Sequence, residues 1–398
     1  MTILRRLTSV SSSLTPRALS IVLMLPFAYG ILRQLIKPNH WFKDFDAVMC
    51  AAQAVLAGQS PYAGGFNCVS AQPQAFVYTP IAAKAFAGFQ AMFGLSFEIA
   101  FIGGLICFVM FTIFRRLFEN DQYLVSRAPL MAGLSASALT SGNLSIGIHG
   151  LIFLGSRVLY RYPAALVALV VMAAIIKPTF VVYLALFLFA GGTMRQRLIQ
   201  AVIAASLIMV YFGHFYVMDA ANFATWVQSM HMVGMVAERG MGFMGLPLIN
   251  AIDDTSVVAA CYVVFAALIL GSGVVIAETY VPDQRQRFAL GISVCVLLYP
   301  RLMAYDEYTL PFGVAVALGC CQRIGQWRMQ QITPLLAPIC LIFAVTGGQL
   351  GGRLLFDLVC VLLISMAATV MAQRLRSGSL FVVRTGAVPV ASVVSREH

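Results

Sequence analysis

Ala164-Ala165-Leu166-Val167-Ala168-Leu169-Val170-Val171-Met172-Ala173-Ala174-Ile175-Ile176-Lys177-Pro178-Thr179-Phe180-Val181-Val182-Tyr183-Leu184-Ala185-Leu186-Phe187-Leu188-Phe189 is apolar along its length except around Lys177-Pro178. Apolar and polar residues do not alternate here with the period of two that a half-buried or barrel strand requires. Hydrocarbon offers backbone amides no water, so a chain that enters it must be helical or a closed barrel. The unbroken run favours helices. Proline suits the first turn of a helix, so Lys177-Pro178 reads as a turn between two helices, 162–176 and 178–193.

The same pattern recurs through the chain. Of 398 residues, 60% are hydrophobic and 10% are charged. Soluble domains carry about 25% charged residues, so this chain has too few to coat a surface facing water. Further apolar runs lie at 18–36, 97–115, 128–141, 143–156, 198–217, 257–277, 288–300, 308–321, 332–348 and 354–372. The expectation is an all-α polytopic membrane protein with about twelve spans, in a range of roughly ten to thirteen because neighbouring runs can merge into one bent helix. The run at 18–36 resembles a signal peptide, but no small-residue cleavage site follows it. Lys37-Pro38-Asn39-His40-Trp41 reads as an interfacial exit instead.

The net charge of +11 would suggest nucleic acid for a soluble protein. Here the basic residues sit in short loops and set topology, and no nucleic-acid partner is expected. With the N-terminus in the cytoplasm, eighteen of the 26 Lys and Arg residues fall inside, among them Arg157, Arg161, Arg195, Arg285 and Arg374. That bias predicts a bacterial-type inner membrane protein with both termini cytoplasmic. It holds only if 81–93, a short run containing Lys84, lies on or in the interface and does not span. The outer side then collects 37–96, 218–256, 300–307 and a glycine-rich link at 347–353, with most of the acids. Gly191-Gly192 and Gly351-Gly352 read as turns. Cys50 and Cys68 share the first outer loop, where a disulfide is possible; Cys50 also lies on an apolar helix face.

Three polar sites stand out. Lys43-Asp44-Phe45-Asp46 opens a helix that Gly58 would end, before Pro61-Tyr62. Its two carboxylates read either as helix capping, with Asp44 as N-cap, or as a base or metal ligand at the membrane surface. Lys177 reads either as a snorkelling end residue or as a cation for a lipid phosphate. Tyr299-Pro300-Arg301 to Tyr308 reads as an interfacial aromatic belt with a local ion pair, or as a site. In the latter, Arg301 binds phosphate and Tyr305 and Tyr308, with Asp306 between them, meet a sugar or isoprenoid. The histidines, including His149, carry no metal-binding spacing, and there is no Walker or GxGxxG loop for a nucleotide.

Asp44-Phe45, the Ala-rich helix with Ala51-Ala52 and Ala54, Gly58, Pro61-Tyr62 and Phe76-x-Tyr78-x-Pro80 together resemble the opening signature of glycosyltransferase family 87. Lys177-Pro178 and the stretch from Pro300 to Tyr308 are similar to further patterns of that family. The resemblance implies a GT-C-like bundle forming one domain over 1–398. Its parts would be a cytoplasmic N-terminus at 1–17, a catalytic outer loop with amphipathic helices at 37–96, a helix bundle at 97–372 and a cytoplasmic tail at 373–398. It also implies transfer of a hexose, most commonly mannose, from a polyprenyl-phosphate donor to a lipid or glycan acceptor. Asp44 would be the general base, with Asp46 as helper. Lys177 and Arg301 would hold the donor phosphate, and Tyr62, Tyr78, Tyr305, Asp306 and Tyr308 would contact substrate. No cofactor is expected beyond the lipid-linked sugar itself, and no divalent metal, although an Asp-x-Asp metal site stays open. Gly142-Asn143 stands where many relatives have Gly-Gln. The rival expectations are a secondary transporter, which would place ionisable groups near the bilayer midplane, and a non-catalytic partner in cell-envelope assembly.

Overall fold

The computed structural model describes residues 41–62, 76–118, 140–233, 240–324 and 349–376, with the single positions 32 and 36. Among the described residues all regular structure is helical. In chain order the helices are α1 Lys43–Leu56, α2 Pro80–Phe93, α3 Leu95–Phe118, α4 Leu144–Leu159 and α5 Pro163–Ile176. A 3-10 helix, Pro178–Phe189, comes next. It is followed by α6 Met194–Met218, α7 Ala220–His231, α8 Thr255–Tyr280, α9 Gln284–Leu297, α10 Leu310–Ile324 and α11 Gln349–Arg376. One-turn pieces at Phe243–Gly245, Pro247–Asn250 and Asp306–Thr309 complete the set. The sequence candidate at 332–348, and nearly all of 18–36 and 128–141, lie outside the described residues.

Among the described residues four helices are long and apolar enough to cross a membrane: α3, α6, α8 and α11. Helix α8 has 26 residues, or ~39 Å at 1.5 Å per residue, against ~30 Å of hydrocarbon. These helices turn apolar side chains outward, such as Val202, Met209 and Val210 on α6 and Val263, Val264 and Leu268 on α8. Water would oppose such a surface and lipid would not. The protein is a membrane-embedded α-helical bundle.

The bundle packs around α9. Every residue from Phe288 to Leu297 is buried, as expected of a helix apolar on all sides. Its neighbours are α4, α8, α10 and the 3-10 helix.

The second half of the Ala164–Phe189 run is not α-helical. Twelve residues of 3-10 helix is long for a form that rarely exceeds one turn. Phe180, Tyr183, Leu186 and Phe189, three apart, are all fully buried. Three residues per turn stacks them on one face. Packing supports the run at its far end, where a Cβ on Gly291 of α9 would lie 2.7 Å from the Phe189 ring and one on Gly273 of α8 would lie 3.1 Å from it. Sequence periodicity also misreads Gly351-Gly352: both lie inside α11, not in a turn. A Cβ on Gly352 would meet Met241 Sδ at 2.5 Å and Glu307 Oε2 at 2.7 Å, so close packing, not a turn, requires glycine there.

Helices α1 and α2 form a smaller layer on one end of the bundle. Phe45, Val48 and Ala52 of α1 pack with Ala82, Ala83 and Phe86 of α2 and with Trp226 of α7. Phe101 of α3 stacks on Phe45 at 5.2 Å and meets Phe86 edge-on at the same distance. Helix α2 has 14 residues, ~21 Å and short of a bilayer crossing. Cys50 of α1 is disulfide-bonded; the pairing with Cys68 that the sequence allows falls outside the described residues.

Candidate functional site

Segment 76–80 is clamped from three sides. Trp226 Nε1 donates to Val77 O at 3.3 Å, and Tyr62 Oη donates to Tyr78 O at 2.9 Å. Thr79 bonds the end of α5 twice, through its N–H to Ile176 O at 3.0 Å and its hydroxyl to Ile175 O at 2.7 Å. The next residue, Pro80, begins α2 at a position that needs no N–H donor. The clamp brings the Tyr78 side chain beside Lys177, whose Nζ lies 5.4 Å from the ring centre.

The start of α1 corrects the expectation that Asp44 caps it. The N-cap is Phe42, in left-handed backbone at φ 56° and with no side-chain cap. The orphan amides are met by backbone from far along the chain: Phe42 N–H donates to Thr140 O at 2.7 Å and Asp44 N–H to Ser141 O at 3.2 Å. The Asp44 carboxylate is thereby released from capping. Gly142 allows the close approach. Its φ is +65°, and a Cβ there would lie 2.8 Å from Phe45 Cβ.

Asn143 links the two helices. Its Oδ1 accepts from Ser145 N–H at 2.8 Å, capping α4, and from Tyr78 Oη–H at 2.7 Å. With both lone pairs of Oδ1 engaged, the amide nitrogen is the end left to act on the Asp44 carboxylate, whose pKa the Asn143 amide lowers. Ser145 Oγ then accepts from Lys177 Nζ at 2.5 Å. Lys177 is buried; it points into the protein and does not snorkel.

The stretch 299–309 closes the site. The loop at 240–245 braces it, with Met241 N–H to Leu302 O at 2.7 Å and Met244 N–H to Pro300 O at 2.9 Å. Gly240, at φ +69°, lies against the Arg301 side chain. Asp306 is buried; its Oδ1 lies 3.2 Å from His149 Nε2, and Met303 N–H donates to its Oδ2 at 3.3 Å. His149 Nδ1 lies 2.6 Å from Tyr183 Oη. For Asp306 to accept, the proton sits on Nε2 and Tyr183 donates to Nδ1.

Electrostatics join these groups. Burial pushes the Asp44 carboxyl above its usual range; the Asn143 amide and Lys177 pull it back, Asp306 adds to the rise, and Arg301 lowers it. Desolvation disfavours the anion, which is how a carboxylate becomes a base strong enough to use near neutral pH. Burial also raises Asp46, followed by the charge of Glu98. Asp46 thus belongs to a different neighbourhood. Glu307 is buried, and both carboxylate oxygens lack a hydrogen-bond partner among the described residues. Burial holds its acid well above the usual range, and Asp306 adds to this.

Of the residues expected from sequence, Asp44, Tyr78, Lys177, Arg301, Tyr305 and Asp306 gather at one place. Tyr62 and Tyr308 instead use their hydroxyls on backbone, the latter on Ile146 O at 2.6 Å. Ser145 and His149 were not singled out by sequence as site residues, and Asn143 stood out only as part of the Gly142-Asn143 pair. Ser145 and His149 are four apart in an apolar run, so they share a helix face, and that spacing was the available signal. No protein-family model matches this chain, nor does any curated protein or any solved structure.

Proposed function

We propose that the protein is a membrane glycosyltransferase that moves a hexose, mannose in the first instance, from a polyprenyl-phosphate sugar to a lipid or glycan acceptor. One observation carries this reading: a desolvated carboxylate, Asp44, is freed from helix capping and aimed by Asn143 into a cluster with two cations, Lys177 and Arg301. Asp44 takes the proton of the acceptor hydroxyl as its oxygen attacks the anomeric carbon. The bond from that carbon to the phosphate oxygen breaks, and polyprenyl phosphate leaves with the electron pair. Lys177 and Arg301 stabilise the charge that develops on it. The disulfide at Cys50 supports an oxidising compartment for this end of the bundle, as expected for transfer on the extracytoplasmic face of an inner membrane. The resemblance of the 44–80 segment to family 87 supports the same reading.

The buried His149–Asp306 pair is the observation that favours the rival, a proton-coupled transporter. Membranes offered a panel of radiolabelled polyprenyl-phosphate sugars distinguish the two. The expected result is labelled lipid or glycan from one donor, lost by ~10³-fold in Asp44→Asn and largely kept in Asp46→Asn. Absence of transfer from every donor, with folded protein verified, would sink the transferase reading. Full activity in Asp44→Asn would sink the base.

A further inference from the structure

At the end of the bundle opposite Asp44, α4, α8 and α11 finish and α5, α6 and α9 begin. This end is rich in arginine, and its acids among the described residues are Glu278 and Asp283. Both acids are engaged. Glu278 Oε1 receives Arg197 Nη1 at 2.5 Å and Arg287 Nη2 at 2.6 Å. Asp283 caps α9 through Arg285 N–H at 3.3 Å.

Arg161 and Arg285 have no such partner. Their guanidinium carbons lie 5.3 and 5.6 Å from the centre of the same ring, that of Tyr160. Arg161 Nε also donates to Tyr160 Oη at 2.9 Å. Both arginines are exposed, and no carboxylate lies within ion-pair distance of either among the described residues. Cation–π attraction holds each of them, but two like charges on one ring repel, and an anion between them would relieve that. A guanidinium presents a planar fork that matches phosphate oxygens. Val158 and Tyr162, chain neighbours of the tyrosine, are 69% and 64% exposed, an apolar flank that a free phosphate ion would not use.

We propose that Tyr160, Arg161 and Arg285 form a headgroup site for an anionic phospholipid, with its acyl chains along Val158 and Tyr162. Basic sites at helix ends are where such lipids are recognised. The inference does not depend on glycosyl transfer, and its test reads no transfer.

Native mass spectrometry of the full chain in detergent, titrated with phosphatidylglycerol or phosphatidylcholine, tests it. Phosphatidylglycerol should occupy one tight site and phosphatidylcholine should not. Arg161→Gln and Arg285→Gln should each weaken that binding by ~10-fold, and Arg376→Gln, an exposed arginine on the last turn of α11, by less than ~2-fold. Tyr160→Leu should weaken it by disordering both guanidiniums. The three arginines are exposed and Tyr160 is half-buried against the core, so unchanged melting of the lipid-free variants checks their fold. Equal losses in all three arginine variants would reduce the effect to general charge and overturn the site. So would equal binding of phosphatidylcholine. Displacement of the lipid by equimolar inorganic phosphate would show a free-anion site and overturn the lipid assignment.

Discussion

The two ends of this bundle handle charge in opposite ways. Around Asp44, charges of both signs are buried or half-buried, and side chains from the 76–80 segment, α4, the α5 turn and the 299–309 stretch fix one another. At the Arg161 end, the charges are nearly all positive, and most stand in the open. Buried charge costs several kcal/mol per ion unless hydrogen bonds and counter-charges offset it, whereas exposed charge is screened within about 8 Å at physiological salt. The Asp44 end has the features chemistry needs, namely fixed geometry and shifted acidity; the Arg161 end presents the exposed arginines on which the lipid proposal rests.

Neutralising a cation at each end should break the symmetry most visibly. Lys177→Met keeps the volume and removes the charge. Transfer should fall by ~10²-fold or more, while Arg195→Gln should leave it within ~2-fold, measured with whichever polyprenyl-phosphate sugar serves as donor. Equal effects would erase the contrast.

Asn143→Asp sharpens it. An aspartate can still cap α4, but it replaces an N–H donor with a second negative charge beside Asp44. The anion of Asp44 is disfavoured and its pKa rises further. In the proposed mechanism the base is that anion, so the acid limb of the pH–rate profile should move up by ~1 unit or more. A fixed limb would mean that Asp44 does not titrate in the reaction.

Gly142→Ala should destabilise by ~1–3 kcal/mol, because its φ of +65° and the contact with Phe45 both resist a Cβ. Gly88→Ala, with nothing within 4 Å, should be neutral or slightly stabilising in helix α2. Unfolding midpoints in detergent give both.

The smallest effect concerns Glu307. Its native acid holds a proton that the unfolded chain releases above about pH 4.5. Fewer protons on the unfolded state means stability falls as pH rises between that value and the raised native one. Glu307→Gln should flatten this slope, by up to ~1.4 kcal/mol per pH unit. A slope that survives the substitution would assign it to another group.

Helices were legible in sequence because lipid demands long apolar runs: 97–115, 162–176 and 257–277 correspond to Leu95–Phe118, Pro163–Ile176 and Thr255–Tyr280. The 3-10 form of Pro178–Phe189 was not. In a run apolar on every side, buried residues three apart leave no polar contrast from which to read the period. That the Asp44 carboxylate is free of capping was hidden for a different reason. Whether a carboxylate at a helix start caps it depends on who else meets the amides, and Thr140 and Ser141 lie nearly a hundred residues away in the chain. Nothing local showed what Asn143 and His149 bind, because their partners, Tyr78 and Asp306, come from other elements.

The 3-10 helix sets a rule for how the chain can change length. An α-helix repeats about every 3.6 residues, so inserting a small whole number of residues rotates every side chain beyond the insertion. Three residues per turn is a whole number. Inserting or deleting one residue early in Pro178–Phe189 turns Tyr183 about 120° away from His149, whereas a change of three leaves its phase intact. Among relatives that keep this segment, length variation within it should come in threes.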